Sequence, residues 1–128
     1  MKLFLDDIRI PSDCTGYMYR RIGTTDYLNT EDWFIVRNYD EFIEAIEFNS
    51  DEITHVSFDH ALADEHYEPS MYDGTYNDHY NNFKEKTGYD CAMWMRDYYE
   101  IMNKPLPQII VHSMNPVGTQ NIINVFKK

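Results

Sequence analysis

Leu3-Phe4-Leu5-Asp6-Asp7 decides the fold: an apolar run passes directly into two carboxylates, as expected of a buried strand whose carboxyl end opens on a polar edge. The same change occurs at Val56-Ser57-Phe58-Asp59-His60 and at Ile109-Ile110-Val111-His112-Ser113. Trp33-Phe34-Ile35-Val36 is a fourth run rich in aromatic and β-branched residues. Strands are therefore expected at Lys2–Leu5, Trp33–Val36, Ile53–Phe58 and Gln108–Val111, all largely buried. In an open parallel sheet, ligands bind beyond the carboxyl ends of the strands. Three acids, two histidines and a serine would then meet on one edge.

Helical patterns lie between these runs. Asp40 is placed to cap a helix from Glu41 to about Phe48, with Phe42, Ile43 and Ile46 on its inner face. Thr87-Gly88-Tyr89-Asp90 has capping-box spacing and precedes a stripe of Ala92, Met95, Tyr99 and Met102. Asn115-Pro116 suits an N-cap followed by proline in the first turn, leading into Val117, Ile122, Ile123 and Phe126, with Gly118 weakening that turn. Alternating strands and helices imply right-handed crossovers and an α/β class. The expected architecture is a flavodoxin-like three-layer fold with a mainly parallel sheet of four strands in the order 2-1-3-4. Two segments break the rhythm: residues 8–32, where the first crossover helix is hard to see, and residues 63–86, crowded with Tyr, Asn, Asp and Glu. A long polar insertion at the active edge reads as a lid or partner surface, the alternatives being disorder or tyrosines that pack into the core.

Size and composition bound the function. The 128 residues fit a single domain. Eleven basic against 22 acidic residues give a net charge of −11, which argues against non-specific binding of duplex nucleic acid, although a divalent cation would change that locally. The blander reading of this charge is a solvated acidic surface. Cys14 and Cys91 are too few and too far apart for a disulfide framework or a zinc site and read as free thiols in a reducing cytoplasm. The first strand is expected to begin at Lys2, which would leave no room for a signal peptide, and no apolar run approaches the roughly 20 residues of a membrane helix.

The strand ends carry the chemistry. Asp6, Asp7 and Asp59 would converge at the switch point if strands one and three are neighbours, and such an oxygen-rich cluster suits Mg²⁺ or Mn²⁺; adjacent Asp residues also commonly cap turns. His60 and His112 are candidate proton carriers, one to activate water and one to protonate a leaving oxygen. Ser113 and the turn through Asn115 and Thr119 open a helix N-terminus that could hold phosphate. Arg9 could pair bidentately with a phosphate oxygen or could instead neutralise Asp6 or Asp7.

Together, Leu5-Asp6-Asp7-Ile8-Arg9-Ile10-Pro11, Ser57-Phe58-Asp59-His60, Thr87-Gly88-Tyr89-Asp90 and Val111-His112-Ser113-Met114-Asn115-Pro116-Val117-Gly118 resemble the cyclic-phosphate processing receiver-like domain family over nearly the whole chain. The resemblance implies a receiver fold whose acidic pocket binds or processes cyclic phosphates on nucleotides or RNA ends. It assigns the acidic pocket to Asp6, Asp7 and Asp59, and the characteristic polar positions to His60, His112, Ser113 and Asn115. No lysine after a fifth strand is seen, which disfavours phosphorelay signalling through Asp59. One departure stands out: the family pattern Asp-His-Asp-Leu-Gly reads Asp59-His60-Ala61-Leu62-Ala63 here, removing a candidate acidic ligand and a glycine.

Two functions follow as expectations. The first is a cytoplasmic domain that binds a phosphate-bearing nucleotide or RNA end and opens its cyclic phosphate with metal assistance. The second is a non-catalytic inhibitor or nucleotide sponge of the phage type, acting on a host protein or defence signal through its acidic surface.

Overall fold

The computed structural model describes residues 1–62 and 85–127. Strands β1 (Lys2–Leu5), β2 (Trp33–Val36), β3 (His55–Phe58) and β4 (Gln108–Val111) form one parallel sheet in the order β2-β1-β3-β4. The helices are α1 (Thr15–Ile22), α2 (Tyr39–Asn49), α3 (Gly88–Ile101) and α4 (Pro116–Phe126). This is a receiver-like α/β fold.

Strand order dictates the layers. The β1-to-β2 crossover runs one way across the sheet, and those from β2 to β3 and from β3 to β4 run the other way, so right-handed connections put α1 on one face and α2 and α3 on the opposite one. The core divides accordingly. Leu3, Leu5, Val56, Phe58 and Val111 pack with Phe42, Ile46, Met95, Tyr99 and Ile122 of α2, α3 and α4. Phe4 and Ile110 face the other way and pack with Cys14, Met18, Tyr27 and Trp33.

Local chemistry sets the helix starts. Thr87 and Asp90 form the expected capping box, and Asn115 caps α4 by accepting from the Gly118 amide at 3.0 Å. Helix α2 starts earlier than expected: Asn38, with extended backbone, accepts from the Glu41 amide at 2.9 Å, leaving Asp40 in the first turn, where its charge suits the helix dipole. The crossover hidden in residues 8–32 is α1, entered through a 3-10 turn at Pro11–Cys14. Its pattern was weak because of its eight residues only Met18 is buried. The edge strands are less buried than expected, with Phe34 on β2 exposed by 51%. Met102 caps the end of α3 and is also exposed rather than completing the stripe. The 63–86 insertion lies outside the described residues except for Glu85 and Lys86.

Two glycines let helices approach strand ends. A Cβ at Gly88 would stand 1.8 Å from the Asp59 carbonyl oxygen, and one at Gly118 would stand 2.3 Å from the His60 ring. The Gly88 amide donates to the His60 carbonyl at 2.8 Å, which ties the start of α3 to the end of β3. Gly118 is therefore a packing requirement as well as a weak helix former. Gly88→Ala is expected to cost about 3 kcal/mol or more, at the upper end of overpacking penalties. Gly16→Ala meets only the flexible Arg20 tip at 3.5 Å and should gain about 0.5–1 kcal/mol. Urea melts of the two variants check this; equal stability for Gly88→Ala and the parent would contradict the close approach.

Candidate functional site

The site follows from the strand register. Phe4, Ser57 and Ile110 stand side by side across β1, β3 and β4. Side chains alternate along a strand, so the next row on that face is Asp6, Asp59 and His112. The ladder continues into this row through the Asp59 amide to the Leu5 carbonyl at 2.9 Å and the His112 amide to the Phe58 carbonyl at 3.0 Å. All three side chains are buried, and their ligand-type atoms lie within 4.8 Å of one another, so the group could hold a metal ion.

Asp6 is the most heavily satisfied member. Its Oδ1 accepts from the amides of Ile8 at 3.0 Å and Arg9 at 2.8 Å, which folds the chain into a turn after β1. Its Oδ2 faces His112 Nε2 at 3.0 Å and Arg9 Nε at 3.2 Å. Burial alone would raise its pKa, but the His112 hydrogen bond and the turn amides outweigh that and bring it to about 2. Asp59 is the opposite case. Its Oδ1 accepts from the His60 amide at 2.9 Å and lies 3.6 Å from Arg9 Nη2, while its Oδ2 is buried with no hydrogen-bond partner among the described residues. Burial first, and the Asp6 charge second, push its carboxyl well above the ordinary 3.8. Of the two carboxyls, Asp59 is therefore the one that more readily holds a proton. Asp7, half-buried, is also raised by burial and by Asp6, and its Oδ1 is buried without a hydrogen-bond partner among the described residues.

His112 has no exposed surface, and both ring nitrogens are engaged, Nδ1 facing Ser57 Oγ at 2.6 Å. Burial lowers its pKa, against the pull of Asp6, so the ring is neutral at physiological pH. Ser57 in turn lies 2.5 Å from the Tyr27 hydroxyl. Arg9, bridging Asp6 and Asp59, donates through Nη1 to the Tyr17 hydroxyl at 2.9 Å, and that hydroxyl donates to the His112 carbonyl at 2.6 Å. Two further guanidinium groups brace this edge. Arg37 donates to the Asp6 and Arg9 carbonyls at 3.1 and 2.6 Å, and Arg21 to the Ser113 carbonyl at 3.0 Å.

The remaining expected site residues gather in a second cluster where α4 begins. The Asn115 side-chain amide faces His60 Nδ1 at 3.4 Å, the Asn115 backbone amide donates to Ser113 Oγ at 3.0 Å, and Thr119 Oγ1 donates to the Ser113 carbonyl at 3.2 Å. His60 packs on Gly118 rather than beside His112. Asp6, Arg9, Asp59 and His112 thus come together, while His60, Ser113, Asn115 and Thr119 build the neighbouring turn. Sequence reasoning missed Ser57, Tyr17, Tyr27, Arg21 and Arg37. Ser57 alone carried a signal, as a hydroxyl two residues before Asp59 and hence on the same strand face.

Parallel order, an acidic row at the switch point and polar strand-to-helix turns define a receiver-type protein. The chain belongs to the cyclic-phosphate processing receiver domain family, whose profile matches residues 1–128. No curated protein and no solved structure matches it. Among the described residues, no helix is long and apolar enough to cross a membrane.

Asp59 yields a stability prediction. Because folding raises its pKa, its contribution is fully present below the unfolded value near 3.8 and is lost as pH rises through the folded value. Asp59→Asn should therefore raise the Tm at pH 7 in the presence of chelator, by about 3–6 °C for each kcal/mol recovered, and lose that advantage near pH 4. Thermal melts across this range test it, and an unchanged or lower Tm at pH 7 would show that Asp59 is not a strained charge.

Proposed function

We propose that this edge binds a phosphate-bearing nucleotide or RNA end and opens a cyclic phosphate on it, with Mg²⁺ or Mn²⁺ as cofactor. One observation carries the reading. Asp59 Oδ2, a buried carboxylate oxygen on one of three potential ligands, lacks a hydrogen-bond partner among the described residues. Unpaired buried carboxylate oxygens are costly, and a divalent cation would satisfy them. The donor set of two carboxylates and an imidazole suits Mn²⁺ at least as well as Mg²⁺. When bound, the cation neutralises phosphate charge and lowers the pKa of water.

The chain's own residues supply the rest. Arg9 already spans the carboxylates as a resident cation, and a phosphate oxygen offers its fork a better-matched partner than Asp59 at 3.6 Å. Arg21 and Arg37, held on main-chain carbonyls, add positive charge beside the incoming anion. His112, with no exposed surface, holds the orientation of Asp6 when no cation is bound. The turn of His60, Ser113, Asn115 and Thr119 shapes the adjoining wall. Ring opening adds water oxygen to phosphorus and breaks one bond to a ribose oxygen; the ribose oxygen takes its proton from Asp7, whose carboxyl is raised by burial, and the attacking water gives up one proton to the Asp7 carboxylate so formed.

A second reading, binding without turnover as an inhibitor or sponge directed at a host partner, is favoured by Ala61. This residue is buried and apolar where the family pattern places an acidic ligand. A panel of 2′,3′-cyclic, 3′,5′-cyclic and oligomeric cyclic nucleotides, with Mg²⁺ or Mn²⁺ and with chelator, separates the two. Cation-dependent binding with a ring-opened product is expected. Binding without product selects the sponge, and absence of both removes this edge as a nucleotide site. Arg9→Ala should weaken nucleotide binding by about 10-fold or more, the value of a charged hydrogen bond, while leaving Mn²⁺ binding equal or tighter. Parallel loss of both would instead make Arg9 a structural brace.

A further inference from the structure

Behind the acidic row lies a polar chain that the reaction does not use: Tyr27 hydroxyl, Ser57 Oγ and His112 Nδ1, joined at 2.5 and 2.6 Å. Ser57 and Tyr27 have no exposed surface, so Ser57 cannot reach a substrate as a nucleophile despite its Ser-His-Asp order with His112 and Asp6. Stacking on Phe4, with centroids 4.4 Å apart and planes 9° from parallel, fixes the His112 ring.

We propose that Ser57 and Tyr27 form a reversible hydroxyl pair that positions His112, letting its Nε2 pass from a hydrogen bond with Asp6 to coordination of a divalent cation shared with Asp6 and Asp59. This rests on the acidic row being the cation site. A histidine that ligates through one nitrogen ordinarily needs a partner for the other, and that partner fixes the tautomer. A carboxylate or carbonyl behind Nδ1 would permit only Nδ1–H. A hydroxyl can accept or donate, so it permits both forms.

The two arrangements hold the same number of protons. Without a cation, ionised Asp6 requires Nε2–H; Nδ1 then accepts from Ser57, which accepts from Tyr27. With a cation, Nε2 must present its lone pair, the ring proton resides on Nδ1, and Ser57 accepts it while turning its own hydrogen to Tyr27. The Nε2–Oδ2 separation needs little change. Two ligands at right angles on a cation with bonds of about 2.1 Å stand about 3 Å apart, and His112 Nε2 and Asp6 Oδ2 are already 3.0 Å apart. The side chain that must yield is Arg9, whose Nε is 3.2 Å from Asp6 Oδ2 and which is partly exposed.

Nitrogen-15 NMR of the full chain reads the His112 tautomer directly. The expected result is Nε2–H with chelator and Nδ1–H with Zn²⁺, a diamagnetic cation that readily accepts imidazole. Mn²⁺ titration followed by water relaxation should show affinity reduced about 10–100-fold in Ser57→Ala. Tyr27→Phe, which keeps the Ser57 hydroxyl, should show a smaller loss and supplies the affinity test if Ser57→Ala does not fold. If the parent binds the cation but His112 keeps Nε2–H, or if both folded variants bind with unchanged affinity, the hydroxyl pair has no such role and the cation site stands without it. If the parent binds neither Zn²⁺ nor Mn²⁺, the cation site itself falls, and this inference with it.

Discussion

Burying one carboxylate constrains everything at this edge. Asp6 has no exposed surface, and an ionised group so placed is tolerated only when its oxygens find donors. Two of those donors are the amides of Ile8 and Arg9, which oblige the chain to turn immediately after β1. That turn aims the Arg9 side chain back across the strand ends. Beside the Arg9 guanidinium, the other donor is His112 Nε2, just past the end of β4, two strands away in the sheet. A single charge thus couples the start of the chain to its last strand, and the strand order 2-1-3-4 is what brings the partners within reach.

Asp59 shows the complementary cost. It shares the row but, among the described residues, receives only one amide hydrogen bond and a distant guanidinium, and one of its oxygens has no hydrogen-bond partner there. A core selected only for stability would place an apolar residue there, since removing an uncompensated buried charge is usually favourable. The asymmetry between a saturated Asp6 and an unsaturated Asp59 fits a division of labour in which one acid is scaffold and the other is kept open. Perturbed carboxyls collected in this way are a common property of functional sites, although structural ion pairs produce them too.

Much of this was legible in the sequence because strand patterns are short-range. Apolar runs ending in acids located β1 and β3, and the run ending in His112-Ser113 located β4. Thr87-Gly88-Tyr89-Asp90 and Asn115-Pro116 announced the starts of α3 and α4. Helix α1 was obscure because it is short and its neighbours, Tyr27 and Trp33, help cover the same face of the sheet. At the site, adjacency in sequence misled where alternation would have guided. Asp59 and His60 are consecutive and so leave the strand toward opposite layers, His60 against Gly118 and Asp59 beside Arg9. Tyr17, Arg21 and Arg37 reach the site by tertiary contacts that no local pattern encodes.

The arginines also change the meaning of the net charge of −11. Averaged over the surface, that charge repels phosphate, but fields near a ligand depend on the nearest groups rather than the sum. Arg9, Arg21 and Arg37 account for three of the eleven basic residues and converge on carbonyls or carboxylates of the same strand ends. Two of them are hydrogen-bonded to main-chain oxygens of the site, which fixes their position without cancelling a full charge. An acidic protein can therefore present a locally cationic frame around a carboxylate row. A cation in that row and an anion against that frame would each lower the cost of the other, so metal and phosphate should bind as one coupled event rather than as two independent ones.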